Sequence, residues 1–187
     1  KIINFQPAGI SGIAFNSLEE PFNDIKVREA FCHLWDVEKL MDKLFFNEYI
    51  RKNSYYPRSK YEHPDNPIQD YNPEYALKLL NQAGWSKKRG DKWLTNEEGK
   101  IFEIEEFHIV QGWDRILNYF VQDLESVGIK LNLVVIQNPF ERVMDRKFKL
   151  YSGGWVGSLL PGPEGMLHSK FSEKLDVTNI TGMANPE

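Results

Sequence analysis

The chain has 187 residues, of which 41% are hydrophobic and 27% are charged, and its formal net charge is −4. These values are typical of a globular chain with one core, so we expect residues 1–187 to form a single domain. The acidic balance argues against a nucleic-acid partner, which would require a clustered basic face. The single cysteine, Cys32, excludes an internal disulfide and a cysteine-based metal site.

The first part of the sequence predicts one strand and two helices. The short apolar run Gly12–Asn16 is typical of a strand. Asn23 or Asp24 can cap the first helix, and Asp36 the second. Apolar residues at helical spacing then form the buried faces of the two helices: Val27, Phe31 and Leu34 in the first, and Leu40, Met41 and Leu44 in the second.

Residues 47–71 are irregular and contain three prolines without a sustained period. A loop of this length inside a compact domain is unusual, and such loops are often functional or packed on another surface. The next helix starts at Asn72-Pro73 and ends at Gly84, because asparagine caps a helix well and proline fits its first turn.

The second half predicts alternating strands and helices. We expect a hairpin that turns at 96–99 between Trp93-Leu94 and Ile101–Val110, followed by a helix over Trp113–Val127. The apolar run Leu131–Ile136 is typical of a strand covered on both faces. A short helix after Asn138-Pro139 and a strand that ends in Gly153-Gly154-Trp155 complete the pattern. This alternation predicts an α/β lobe with some parallel pairing.

The sequence offers no catalytic, metal or cofactor motif. The four histidines are far apart, and nucleophile-elbow and phosphate-loop patterns are absent. Adjacent glutamates such as Glu97-Glu98 are typical of solvated turns and not of an acid/base pair. We therefore expect no enzyme, no cofactor and no metal site.

The feature that stands out is Trp155, with Gly153, Gly154 and Gly157 around it. A tryptophan at a strand end beside glycines can form an apolar wall next to accessible main-chain groups, which suits an extended ligand. A core tryptophan at a bulge, packed tightly through the glycines, explains the same residues equally well. Composition alone leaves both interpretations open.

Several segments in order resemble the extracellular solute-binding proteins of family 5, the dipeptide- and oligopeptide-binding receptors. The segments are Pro21–Phe31, Trp35–Leu40, Tyr71–Trp85, Val121–Lys130, and Asn179–Gly182 with Asn185–Glu187. Two further segments are most similar to the YejA-type branch, whose members are linked to uptake of oligopeptides and peptide antibiotics: Phe45–Tyr56 and Ser158–Glu164.

The resemblance implies the second lobe of a periplasmic-binding-protein type II-like fold, with a mixed sheet flanked by helices. Both ends look cut, so the first lobe of the same polypeptide is expected outside this chain, and residues 158–187 are expected to form a loop-rich tail leading to the return crossing. An oligopeptide or peptide-like ligand would bind between the lobes and pass to a membrane permease of an ABC importer. The implied location is the periplasm or cell envelope, with lipid anchoring left open.

The same resemblance implies that Gly154, Trp155 and Val156 face the ligand through main-chain contacts and an apolar wall. Many peptide binders carry an aspartate three residues after this tryptophan, where it pairs with the ligand's α-amine. Here Ser158 occupies that position, so we expect a ligand with a blocked terminus or one that is anchored elsewhere. Asn179 is a weaker ligand-binding candidate, since a polar loop residue more often forms a turn.

Two functions from other classes compete with a receptor. A hydrolase or transferase would use carboxylates in a cleft and should show convergent titratable groups with shifted pKa values. A cytoplasmic interaction domain should be a closed globule without a large open face, whereas a separated lobe exposes a surface that its partner would cover.

Overall fold

The computed structural model describes residues 9–49, 51–54, 56, 60–155, 162, 164–175 and 177–184. Its helices and strands are, in chain order, β1 Ile10–Phe15, α1 Ile25–Cys32, α2 Val37–Phe45, α3 Pro73–Gln82, β2 Glu103–Ile109, α4 Asp114–Val127, β3 Lys130–Val135, α5 Phe140–Met144, β4 Leu150–Trp155 and α6 Glu164–Leu167. The predicted α/β alternation is confirmed.

Among the described residues the strands form two hydrogen-bonded pairs. β1 is antiparallel to β4, with Ile10 opposite Trp155 and Phe15 opposite Leu150. β2 is parallel to β3, and α4 makes the crossover that two parallel strands require. β4 packs beside β2, so the two pairs lie next to each other and share one core.

Local sequence signals set the helix boundaries. The side chains of Asp24, Asp36 and Asn72 each accept a hydrogen bond from a backbone amide in the first turn of α1, α2 and α3. These bonds satisfy amides that have no partner within the helix. α4 ends at Gly128, whose φ of 96° lies in the left-handed region that glycine adopts most readily. The predicted caps of these helices are thus confirmed.

The core is built around the fully buried ring of Phe31 on α1. This ring lies 5.0 Å from Phe22 and 6.0 Å from Phe15, both in edge-to-face geometry between ring centroids. It also lies 5.9 Å from Phe102 and 6.1 Å from Phe120. Phe15 belongs to β1, Phe102 leads into β2 and Phe120 lies on α4, so one side chain connects both strand pairs and the crossover helix.

A buried arginine side chain holds the C-terminal tail against the core described above. Arg146 is 9% exposed, and its guanidinium donates to the backbone carbonyl groups of four tail residues: Phe171, Ser172, Lys174 and Asn179. The hydroxyl of Ser17 adds a bond of 2.6 Å to the Thr181 carbonyl. The described part of the tail contains only α6 and a 3₁₀ turn at Ser169–Phe171 as regular structure. These hydrogen bonds therefore hold the tail against the rest of the protein.

The predicted hairpin forms only next to its turn, and the prediction for β3 was wrong. Across the turn at 96–99 the Phe102 amide donates to the Leu94 carbonyl at 2.8 Å and Thr95 bridges Ile101, but beyond this point β2 pairs with β3. β3 is not covered on both faces: Leu131 is 5% exposed, but on the opposite face Asn132 is exposed and Val134 is half-buried, and Val135 at the strand end is 53% exposed. Within the described ranges β3 bonds only to β2 and α4 packs against it, so the second face of the apolar run stays partly open.

We expect Phe31→Ala to lower the free energy of unfolding by about 3–5 kcal/mol, because it removes the ring that joins the two strand pairs and leaves a cavity. Urea unfolding followed by circular dichroism measures this change. Phe46→Ala is the matched control, since Phe46 is 80% exposed, and its effect should stay within about 0.5 kcal/mol. Equal effects of the two variants would contradict this view of the core.

We expect Arg146→Lys to loosen the tail, because one ammonium cannot replace a guanidinium that bonds to four carbonyl groups. Limited proteolysis should then cleave residues 164–184 faster than in the wild type, with a stability loss of about 1–3 kcal/mol. The exposed Arg142 on α5 provides the control variant Arg142→Lys. An unchanged cleavage rate in Arg146→Lys would show that other contacts hold the tail.

Candidate functional site

Trp155 lies on the side of β4 that faces away from the core. Successive side chains of a strand point to opposite faces, so Tyr151, Gly153 and Trp155 share one face of β4. Leu150 on the other face belongs to the buried core. Trp155 itself is partly exposed. Of the two interpretations left open by the sequence, this position favours the exposed wall over the core tryptophan.

A glycine supports the aromatic wall. The ring of Tyr151 lies over Gly153, where an added Cβ would come within 2.7 Å of the tyrosine Cε1 atom. This position brings Tyr151 edge-to-face with Trp155, with ring centroids 6.2 Å apart and an angle of 86° between the planes. Phe148 extends the row, 6.3 Å from Tyr151. Gly153 was predicted from the sequence and Tyr151 was not, although the spacing of four residues between Tyr151 and Trp155 places both side chains on one strand face.

The main chain of Gly154 is directed away from β1. The amide of Asn16 donates to the Lys149 carbonyl at 3.0 Å, which makes these residues a hydrogen-bonded pair of the antiparallel ladder. Bonded and non-bonded pairs alternate along such a ladder, so Gly154 and Ser11 form a non-bonded pair. The amide and carbonyl of Gly154 therefore point to the side of β4 opposite β1, and Gly154 is exposed.

The other predicted site residues do not join this cluster in the described structure. Val156 and Ser158 lie outside the described residues. Asn179 is fully buried in the tail, where its Nδ2 donates to the Met183 carbonyl at 2.9 Å and its Oδ1 accepts from the Met183 amide at 3.1 Å. Its side chain thus stabilises a turn, and its burial gives no support to a ligand contact.

A cleft of about 370 Å³ opens beside the start of β1. It is lined by Ile10 and by residues 51–54 and 67–69 of the long irregular loop. The ammonium of Lys52 donates to the Gly9 carbonyl at 3.1 Å, and the guanidinium of Arg51 donates to the Gln69 carbonyl. The unusual length of this loop is evident from the sequence, but none of these residues was predicted as a site residue.

Carboxylates also surround a groove of about 550 Å³ on another part of the surface. They come from the turn before α1 and from the turn at 96–99: Glu20, Asp24, Glu97 and Glu98. Asp24 is occupied as the cap of α1, and the three glutamates are exposed. Acid/base chemistry needs carboxyl groups that converge on a substrate in a shielded pocket, and exposed turns do not provide such a pocket.

Two largely buried titratable groups with altered pKa values lie on different elements, Asp123 on α4 and His108 on β2. Burial raises the pKa of Asp123 on α4, which accepts a bond from the Asp36 amide at 3.1 Å and lies 3.5 Å from the Lys39 ammonium. Burial also lowers the pKa of His108 on β2, which pairs with Glu106 at 3.1 Å. In the residues the structure describes, no three His, Cys, Asp or Glu side chains come together as metal ligands would, and none of the helices is long and apolar enough to cross a membrane.

Known proteins resemble this chain both in sequence and in structure. A family model described as bacterial extracellular solute-binding proteins, family 5 Middle, matches residues 1–175. The YejA protein of Escherichia coli, described as uncharacterized, is 25% identical over 211 residues that include 93% of this chain and 34% of that protein. The chain thus spans about a third of the length of this curated relative.

Solved structures show the same fold. The oligopeptide-binding protein AppA from Bacillus subtilis, solved with a nonapeptide, aligns with a TM-score of 0.81 and 24% identity over 99% of this chain and 38% of AppA. NikZ from Campylobacter jejuni, solved with Ni(L-His), aligns with a TM-score of 0.82 and 23% identity over 96% of this chain and 37% of NikZ. The fold is that of type II periplasmic binding proteins, and it hosts ligands of different chemistry.

We expect Gly153→Ala to disturb the aromatic wall, because the new methyl group would displace the Tyr151 ring. The near-UV circular dichroism of the aromatic residues should change, and stability should fall by about 1–3 kcal/mol, the usual effect of overpacking. Gly12 lies directly opposite Gly153, and a Cβ there meets nothing within 4 Å. Gly12→Ala should therefore leave the spectrum unchanged, and equal spectra for both variants would contradict the packing of Tyr151 on Gly153.

Proposed function

The chain belongs to the bacterial extracellular solute-binding proteins of family 5, in their YejA-like branch, and from that membership we propose that it forms one lobe of a peptide receptor serving an ABC importer. The receptor holds an oligopeptide or a peptide-like solute between this lobe and another lobe of the same polypeptide. Closure of the two lobes then presents the ligand to a membrane permease. The observation that carries the proposal is the partly exposed Trp155 at a strand end, on the face of β4 opposite the core.

The proposed ligand contact combines main-chain pairing with an apolar wall. Gly154 directs its amide and carbonyl away from β1, where an extended peptide can pair with them as an added strand. Trp155 and Tyr151 provide a wall that packs against a ligand side chain without selecting one sequence. This division suits a receptor for peptides, whose backbones are alike and whose side chains differ.

The proposed role is binding and delivery, without a chemical step. The solute-binding family and the exposed position of the surface carboxylates support a receptor over a hydrolase or transferase. We propose the periplasm or cell envelope as its location, in keeping with the extracellular family, and a lipid anchor is compatible with that location. Because Ser158 stands where many peptide binders carry aspartate, we propose that the ligand is held without the usual carboxylate at that position.

Isothermal titration of the full-length receptor with short peptides tests the proposal. We expect dissociation constants of about 10 μM or lower, corresponding to a binding free energy of roughly −7 kcal/mol. The 187-residue chain alone should bind at least about 100-fold more weakly, because only one wall of the cleft remains. Absence of peptide binding by the receptor, or binding of nickel–histidine in its place, would overturn the proposed ligand class.

We expect Trp155→Phe to abolish most of the change in tryptophan fluorescence that peptide binding causes, since Trp155 would contact the ligand directly. Trp93→Phe serves as the control: Trp93 is also partly exposed, but it lies in the segment before the turn at 96–99, where the Lys92 ammonium lies 4.2 Å from its ring centroid. A full fluorescence response in Trp155→Phe would show that Trp155 does not contact the ligand.

A further inference from the structure

We propose that the basic turn over residues 87–92 binds the surface of an anionic lipid bilayer. The inference goes beyond the proposed ligand, because it concerns how the lobe is held at the membrane. It rests on the proposed location in the cell envelope and not on the identity of the solute, so its failure would leave the peptide-receptor function standing.

The turn concentrates positive charge in a chain whose net charge is −4. It carries four cationic side chains and one carboxylate: Lys87, Lys88, Arg89 and Lys92, with Asp91. All five residues are exposed. Among the described residues no carboxylate forms an ion pair with any of the four cations. Positive charge that is concentrated and unpaired in this way attracts an anionic surface.

The acidic turn at 96–99 lies at the opposite end of the same short ribbon. Thr95 is bridged to Ser86 on one side and to Ile101 on the other, and both bridges are antiparallel. The connection 87–94 therefore leaves one end of the ribbon, and the acidic turn leaves the other. The ribbon thus has one positive end and one negative end, so only the positive end fits an anionic surface.

The base of the basic turn is anchored in the core. The Leu94 amide donates to the Gly128 carbonyl at 2.7 Å, and Leu94 is 1% exposed. Trp85 packs on Phe102, with ring centroids 4.4 Å apart. The fit at Gly128 is close, since a Cβ there would lie 3.0 Å from the Lys92 carbonyl oxygen. A turn held in this way presents its cations together without the entropy cost of ordering a flexible segment.

This anchor places the turn at the amino ends of β2 and β3. Phe102 directly precedes β2, and its carbonyl accepts a bond of 3.0 Å from the amide of Lys130, the first residue of β3. Ligands of open α/β sheets bind outside the carboxyl ends of the strands. The turn therefore lies at the other edge of the β2–β3 pair, where contact with a membrane leaves the carboxyl ends free.

A tryptophan beside the cations favours a bilayer over a soluble polyanion. Trp93 is partly exposed, and the Lys92 ammonium lies 4.2 Å from its ring centroid. Tryptophan is enriched at membrane–water interfaces, where its ring lies at the level of the headgroups. Each lysine or arginine near an anionic bilayer strengthens binding by about fivefold. Four cations next to an aromatic ring thus fit a surface that is anionic outside and apolar beneath.

Cosedimentation of the full-length receptor, produced without acylation, with lipid vesicles tests this inference. The vesicles consist of phosphatidylcholine alone or of phosphatidylcholine with phosphatidylglycerol. We expect binding to the anionic vesicles only, and added salt should weaken it because ions screen exposed charges. The turn variant Lys87→Gln, Lys88→Gln, Arg89→Gln should bind about tenfold more weakly or worse.

The matched control removes three exposed lysines from other parts of the chain: Lys43→Gln, Lys78→Gln, Lys147→Gln. It has the same net charge as the turn variant, so a loss of less than about threefold would assign the binding to the turn and not to net charge. Equal losses in the two triple variants would overturn the inference. The same holds for a wild-type receptor that bound neither vesicle type, or bound both equally.

Fluorescence and peptide titration separate this inference from the proposed function. Anionic vesicles should shift the tryptophan emission to shorter wavelength, and the shift should be lost in Trp93→Phe but kept in Trp155→Phe. A shift that persisted in Trp93→Phe would contradict the contact of this turn with the bilayer. The turn variant should bind peptides with wild-type affinity, which also shows that it is folded. Peptide binding by a receptor that ignored both vesicle types would overturn this inference alone.

Discussion

The aromatic contacts of Phe31 are the interaction on which the rest of the structure depends. The β1–β4 pair and the β2–β3 pair share no hydrogen-bonded ladder among the described residues, so side-chain packing must set their relative position. Phe31 contacts Phe15 of β1 and also Phe102, which leads into β2. Burial of this ring holds the first strand pair in place, and the proposed ligand surface stands at the end of that pair.

The two faces of β4 have different roles, because successive side chains of a strand point to opposite faces. Leu150 points into the core and anchors the strand, while Tyr151 and Trp155 point outward. Because the buried face fixes the strand, it also fixes the position of the outward face. Gly153 has no side chain, so the Tyr151 ring can pack over it and contact the Trp155 ring. A rigid strand thus positions the aromatic wall, whereas the adjacent cleft takes its lining from a loop.

The sequence predicted features that depend on neighbouring residues. Asp24, Asp36 and Asn72 cap helices within one turn, so the signal and its effect lie close together. The cleft could not be predicted in the same way, because the bond from Lys52 to Gly9 joins residues 43 positions apart. The exposure of Val135 was missed for a related reason: an apolar run shows that a strand can be buried, but not which elements cover it. The fold could be predicted from the order of the helices and strands together with the segments that resemble the solute-binding family.

The attachment of the tail has a consequence for its response to acid. Arg146 holds the tail through carbonyl oxygens, and these acceptors neither gain nor lose protons in the range where carboxylates do. Burial lowers the pKa of its guanidinium, but an arginine remains charged at any acidity that bacteria meet. A tail fastened by carboxylate ion pairs would loosen as its surroundings acidified. This attachment does not depend on the protonation of a carboxylate, so we expect the tail to stay in place as the pH falls.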